Sequence, residues 1–476
     1  MHNALELTAD PAGQQWGDDR DEELLKLEEL YCSHGDTVHY CDPPKIFDRC
    51  EGSFIYDMQG REYLDLQMWY SACNFGYANA RLNDALKRQL DKLPQIASQY
   101  LHPEKIELAA LIARDAEKKF GTKGRVHFNV GGSQAVEDSL KLVRNASGGK
   151  SLMFAFEGGY HGRTLGATAI TSSYRYRRRY GHFGERAQFI PFPYQFRGPK
   201  GMTKEEYGEA CVKNFERLFE TEYYGVWDAK AEQAEYAAFY VETIQGTGGY
   251  VIPPPNFFVE LKRVLDRRGI LLVVDDIQMG FYRTGKFWSI EHFGVAPDIL
   301  VFGKALTNGL NPLSGLWARE ELISPEAFPP GSTHSTFASN PLGTAVGLEV
   351  MRLIEEEDFA TSVPEKGRYF LGGLEELKRR HRIVGDVDGL GLALRIEICE
   401  PHDSFTPSKA IVDRMVDESL KGDLEHKGRR YGLVLDIGGY YKNVITLAPA
   451  LTITYEEIDL AVALLDQLFA RVTRSP

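Results

Sequence analysis

Two hydrophobic periods divide this chain. Residues 52–66, GSFIYDMQGREYLDL, alternate apolar and polar positions around a turn at Gln59–Gly60, which predicts a hairpin. NDALKRQLDKL (83–93) and EKIELAALIARDAEKKF (104–120) repeat at helical spacing. From there the pattern switches back and forth. RVHFNV, SLMFAF, AAFYVE, ILLVVDD and DILVFGK are short apolar runs that predict strands, while SQAVEDSLKLVRNA and NFFVELKRVLDRRG predict helices between them.

That alternation predicts an α/β fold: a large domain whose mostly parallel sheet is flanked by helices. Past residue 341 the character changes. PLGTAVGLEVMRLIEEED and KGRYFLGGLEELKRRH read as long helices, and GLALRIEI and NVITLAPALTIT as strands of a smaller α+β domain. The N-terminal hairpin is its expected companion, which makes the small domain discontinuous. The expected division is residues 1–75 as arm and part of the small domain, 76–343 as the large domain, and 344–476 as the C-terminal small domain. Residues 193–235 read as an inserted helical excursion, and the first 20 or so as a loose arm.

Composition narrows the function. A chain of 476 residues with 43% hydrophobic and 26% charged positions is ordinary globular material. Its formal charge of −13 argues against a nucleic-acid partner. The basic run RYRRRY (175–180) is short and reads as a solvated face, with an anion contact as the alternative. No apolar run approaches the roughly 18–20 residues a bilayer span requires, so no membrane role is expected. No signal peptide is visible, and six cysteines without CxxC spacing read as reduced thiols of a cytoplasmic protein. The spacing of Cys32, Cys41 and Cys50 fits no common ligand pattern, so no metal is expected.

The chemistry sits at four strand ends. In NVGGSQAVEDSLKL, two glycines follow the strand and Ser133 opens a helix, and the free amides of Gly132 and Ser133, the hydroxyl and the helix dipole suit a phosphate. In FEGGYHGRTLG, two glycines let Tyr160 approach and cover a flat ring. In ILLVVDDIQ, Asp275 ends a buried strand, where a carboxylate is costly unless it meets a charge such as a protonated ring nitrogen. Gln278 is three residues on, within reach of a ring substituent. Capping of the next segment accounts for Asp276 but poorly for Asp275. In PDILVFGKALTNG, Lys304 follows an apolar strand 29 residues after Asp275, where a lowered pKa makes a Schiff-base nucleophile. Phosphate cradle, aromatic plate, carboxylate and desolvated lysine together describe a site for pyridoxal phosphate.

With these residues in view, the chain resembles the class III (ω-amino, subgroup II) aminotransferases of fold type I from about residue 55 onward. The resemblance is carried by GGSQAVE, YHGRT, ETIQGTGG, DDIQMGFYRTG, FGKALTNGL and HSTFASNPL, in that order. It implies transfer of an amino group from an amine or amino acid to a small keto acid, with Lys304 carrying the cofactor and then moving a proton. It further implies that Asp275 binds the pyridine nitrogen and Gln278 the ring hydroxyl side, that Tyr160 stacks on the ring, and that Gly132 and Ser133 hold the phosphate. His161, in YHGRT, joins the cofactor-binding set, and Glu242 stands where the family keeps an acid one layer out. Thr336 is implied to reach the phosphate of a second subunit, hence a homodimer or larger. The same scaffold hosts racemases, epimerases and ammonia- or phospho-lyases, which remain alternatives.

The departures concern substrate. Many members carry an arginine three residues before a Pro-Pro-Leu, which binds the α-carboxylate of 2-oxoglutarate. Here, in VITLAPALTIT, Thr446 stands in its place and Ala450 replaces the second proline. Asp276 replaces the usual glutamate, Tyr282 the usual glycine before RTG, and Arg395, where glycine is common, offers a substitute cation.

Overall fold

The computed structural model describes residues 18–35, 38–178, 180–181 and 187–474. Most of the expected N-terminal arm and Arg179 of the basic run lie outside them. A helix, Asp18–Tyr31, begins where the description does.

Seven strands form the central sheet: β1 (Gly124–Asn129), β2 (Leu152–Phe156), β3 (Ala187–Ile190), β4 (Tyr236–Val241), β5 (Leu271–Asp275), β6 (Ile299–Phe302) and β7 (Ser314–Arg319). Their spatial order is β1-β7-β6-β5-β4-β2-β3. β7 runs antiparallel to both neighbours, and the remaining pairings of the sheet are parallel. Leu272, Val273 and Val274 of β5 have no exposed surface, as expected for a strand covered on both faces. The pattern had not predicted β3 or β7. β3 has only four residues, and SGLWAR carries glycine and arginine in place of an apolar run.

Parallel pairing sets the place of the site. β5 pairs with β6 through Asp275↔Val301 and with β4 through Val274↔Val241. Glu242 just past Val241, Asp275 at the end of β5 and Lys304 just past β6 therefore emerge at the carboxyl edge of the sheet, where ligands of such sheets collect. Helix α1 (Gly132–Ala146) returns from β1 with Val136, Leu140 and Val143 buried.

The expected hairpin is present as Phe54–Asp57 and Glu62–Asp65, with Phe47–Glu51 added outside. Its inner strand pairs in parallel with Arg429–Val434 through Tyr63↔Gly432. A Cβ at Gly432 would stand 2.0 Å from Tyr63 Cδ1, so the ring closes over bare backbone. A second small-domain sheet runs Val384–Leu390, Ala393–Glu400, Val444–Leu447, Asp436–Gly438. The run NVITLAPALTIT yields only the four-residue strand Val444–Leu447, because Pro449 lacks the ladder donor. Helices Phe359–Arg380 and Tyr455–Arg474 pack alongside. The first starts seven residues before the pattern predicts and contains Pro364. Asp358 caps it at Thr361 N (3.1 Å), and buried Phe359 and Val363 anchor the turns around the proline. Residues 193–235 contain the helix Lys204–Glu216 and a small hairpin, Trp227–Asp228 with Gln233–Ala234, so the excursion is helical only in part.

Candidate active site

A cavity of about 210 Å³ opens at the carboxyl edge of β4, β5 and β6. Gly132, Ser133, Tyr160, His161, Glu242, Asp275, Gln278 and Lys304 all line it. Of the predicted residues, Thr336 alone lies elsewhere, exposed on the loop before Pro341, beside Phe337 at 69% exposure.

Asp275 is enclosed and tied. His161 Nδ1 donates to its Oδ2 at 2.8 Å and the Ile277 amide to its Oδ1 at 3.2 Å. Burial opposes charge on His161, but the hydrogen bond and charge of Asp275 outweigh it and hold the imidazole above its ordinary value. Asp276 faces away from the cavity. It accepts from Ser289 N at 2.9 Å and from the Ser289 hydroxyl, capping the turn Ser289–Phe293, and burial pushes its carboxyl up to about 7.

Glu242 clamps two loops, accepting from Tyr160 N and Gly246 N, each at 2.8 Å. Burial raises its carboxyl to about 7, against the pull of His161. Tyr160 meets Tyr176 edge-on at 5.2 Å between ring centres. Gln278 Nε2 donates to Tyr250 OH at 2.9 Å, a partner the sequence had not suggested.

Lys304 begins the turn Lys304–Thr307 in a left-handed backbone, φ 44°, after an extended Gly303. Left-handed geometry in a non-glycine residue is strained, and such strain persists where the surroundings over-determine it. Desolvation lowers its amine to about 8, although Asp275, Glu242 and Asp436 pull the other way. Among the described residues Lys304 has no hydrogen-bond or ion-pair partner.

The residues fit pyridoxal phosphate. No side chain caps the N-terminus of α1 at Gly131, so the first amides of the helix are open to an anion. Ser133 Oγ accepts from Arg163 N at 3.1 Å, and a Cβ on Gly162 (φ 132°) would fall 2.4 Å from that oxygen, so only glycine lets the loop close here. Asp275 and a partnerless lysine complete the donor set.

Two expectations about the departures are resolved. Tyr282 keeps the left-handed backbone, φ 64°, that a glycine there would favour. Arg395 is not a free cation. It is 1% exposed, donates to Asp386, Glu397 and Tyr194, and does not line the cavity. In the basic run, Arg177 donates to Ser172 O at 2.7 Å. Among the described residues no His, Cys, Asp and Glu group is placed to hold a metal, and no helix is long and apolar enough to cross a membrane.

Fold and site define a pyridoxal-phosphate enzyme of fold type I. The chain belongs to the family described as Aminotransferase class-III, whose model matches residues 38–469, and it is a pyridoxal-phosphate-dependent aminotransferase. It is 33% identical over 450 residues to the alanine/serine racemase of Pyrococcus horikoshii, covering 94% of this chain and 90% of that one. It is 30% identical over 451 residues to the 5-aminovalerate aminotransferase DavT of Pseudomonas aeruginosa, covering 94% and 98%. The solved amine transaminase of an uncultivated Pseudomonas species, in its PLP-bound form, superimposes with a TM-score of 0.79 at 26% identity, over 99% of this chain and 100% of that one.

Proposed function

We propose that the enzyme moves an amino group from an amine or amino acid to a small keto acid, with Lys304 both holding the cofactor and carrying the proton. One observation supports this above the others. Among the titratable groups of the cavity, His161, Asp275 and Glu242 already hold partners, whereas Lys304 is partnerless and lowered to about 8. Bound, pyridoxal phosphate supplies an electron sink that loosens the bonds at the substrate's α-carbon. Asp275 keeps a proton at the ring nitrogen, and His161 keeps Asp275 aimed. Gln278 bonds the ring hydroxyl side, Tyr160 covers the ring face and Glu242 fixes the loops behind both. The amides of Gly132 and Ser133, with the Ser133 hydroxyl, take the phosphate. Lys304 Nζ would take the proton from the substrate's α-carbon and hold it for return within the cavity.

In this reading the enzyme is at least a homodimer, with the exposed Thr336 reaching the phosphate of a second subunit. It works in the cytoplasm, a reading supported by six free thiols.

Racemisation is the second reading, and the similarity to the alanine/serine racemase favours it. Inverting a carbon calls for a proton donor on each face, whereas the cavity offers one partnerless base. The holoenzyme given an amine donor without keto acid distinguishes the two. A transaminase stops after one half-reaction, its visible absorbance lost and one equivalent of carbonyl product released. Recovered absorbance with an inverted, exchanged α-hydrogen would show a racemase.

A further inference from the structure

Beyond the residues that line the cavity, the strands Asp436–Gly438 and Val444–Leu447 carry the opposite charge from the one the family resemblance leads one to expect. Where many relatives place an arginine, Thr446 donates to Asp436 Oδ2 at 2.9 Å, its cross-strand partner. Tyr40 OH and Gln67 Nε2 also reach Asp436, at 3.3 and 3.4 Å. All these donors are neutral, and among the described residues no cationic side chain forms an ion pair with Asp436. Lys304 and Lys442 sense its charge without contacting it.

Packing brings this carboxylate close to the chemistry. The strand Asp436–Gly438 lies against the loop that carries Tyr250, with Gly438 so near that a Cβ would sit 3.0 Å from Gly249 Cα. Tyr250 OH in turn holds Gln278 of the cavity. On the other side, residues 68–71 form a left-handed turn, with φ from 45° to 66° at four successive non-glycine positions. Such strain is costly and persists only where the surroundings enforce it. Buried Arg283 does so, donating to Ser71 Oγ at 2.7 Å and Asn74 Oδ1 at 2.6 Å. The turn presents Trp69, 54% exposed, against Gly309 just past Lys304, and Tyr70, whose hydroxyl is 3.4 Å from that of Tyr40. A carboxylate held by neutral donors alone, with partly exposed aromatic side chains on the neighbouring turn, can receive a cation.

We infer that Asp436, with Thr446 and the aromatic turn, binds a positively charged group at the far end of the substrate. The amine donor is therefore a diamine or a basic amino acid. This rests on the transaminase reading. A carboxylate in place of the cation would meet Asp436 with like charge.

The test compares cadaverine with pentylamine, chains of equal length that differ in the second ammonium, in the half-reaction of the holoenzyme. We expect kcat/KM to favour cadaverine by about tenfold or more, the size of a charge-assisted contact, and the ratio to fall with added salt. Asp436→Asn should bring the ratio to about one, and the salt dependence of the wild-type ratio serves should that variant misfold. Equal wild-type rates, or a ratio insensitive to both salt and Asp436→Asn, would overturn the assignment alone. If neither these amines nor any amino acid discharges the chromophore, the transaminase reading falls and takes this one with it.

Discussion

His161 Nδ1 donates to Asp275 Oδ2 across 2.8 Å, with side-chain exposures of 1% and 6%. A contact this enclosed fixes the direction of the carboxylate proposed to meet the cofactor nitrogen. Asp275→Asn should lower kcat by about 10²-fold, as when a key electrostatic group is lost. His161→Asn should cost less, because it loosens the aim but leaves the charge. Steady-state kinetics on cofactor-saturated protein measure both. An Asp275→Asn enzyme with half of wild-type activity would make the carboxylate structural.

Glu242 should give the cofactor-free protein a pH signature. Its folded value is raised from 4.5 to about 7 by burial, so between those values the folded state holds a proton that the unfolded chain has released. Stability therefore falls as pH rises through this window, and the contribution is fully present only below about 4.5. The unfolding free energy of wild type minus that of Glu242→Gln, from urea titrations across the window, should become steadily less favourable to wild type as pH rises. A constant difference would mean that Glu242 titrates normally.

Lys304 should control cofactor loading. Only the neutral amine attacks the aldehyde, and burial brings its pKa to about 8. The rate of reconstitution with pyridoxal phosphate should rise with pH to about 8 and then level off. Lys304→Ala should abolish turnover, and borohydride should fix the cofactor to this residue in wild type. Label on another lysine would overturn the assignment.

The sequence exposed the site more clearly than the frame that holds it. Asp275 and Lys304 were legible because apolar strands run straight into a charge, and burial makes such a charge costly unless it is used. The uncapped helix at Gly132 was legible from its glycines and its spacing. Asp436 follows the same grammar, LVLD after LVVD, and could have been found by it. Its signal is fainter because the strand it opens, Asp436–Gly438, is short and its partners Tyr40 and Gln67 are far away in sequence. The left-handed turn at Met68 has no local signal, since it is imposed by Arg283 more than 200 residues later. Arg395 looked like a candidate cation because one line of sequence cannot show that Asp386 and Glu397 already enclose it.

Assembly can be read from mass. If Thr336 serves a second subunit, sedimentation at micromolar concentration should give at least twice the 53.6 kDa of the chain. Thr336→Ala should weaken cofactor retention without changing that mass. A fully active monomer would remove Thr336 from the site.

The acceptor follows from the same missing arginine. An arginine–carboxylate contact out of water contributes about 1.5–3 kcal/mol, or roughly 10–150-fold in affinity. Thr446 cannot make that contact, and its hydroxyl is turned to Asp436. Arg395 is its cross-strand neighbour, but the guanidinium is held by Asp386 and Glu397 and cannot substitute without breaking both of these ion pairs. A second carboxylate on the acceptor would therefore gain nothing and would approach Asp436. Pyruvate should exceed 2-oxoglutarate in kcat/KM by about tenfold or more with any competent amine. Steady-state kinetics with the two acceptors against a panel of amines checks this. A preference for 2-oxoglutarate would mean that another cation has entered the site, and Arg395→Ala would then show whether it is the one.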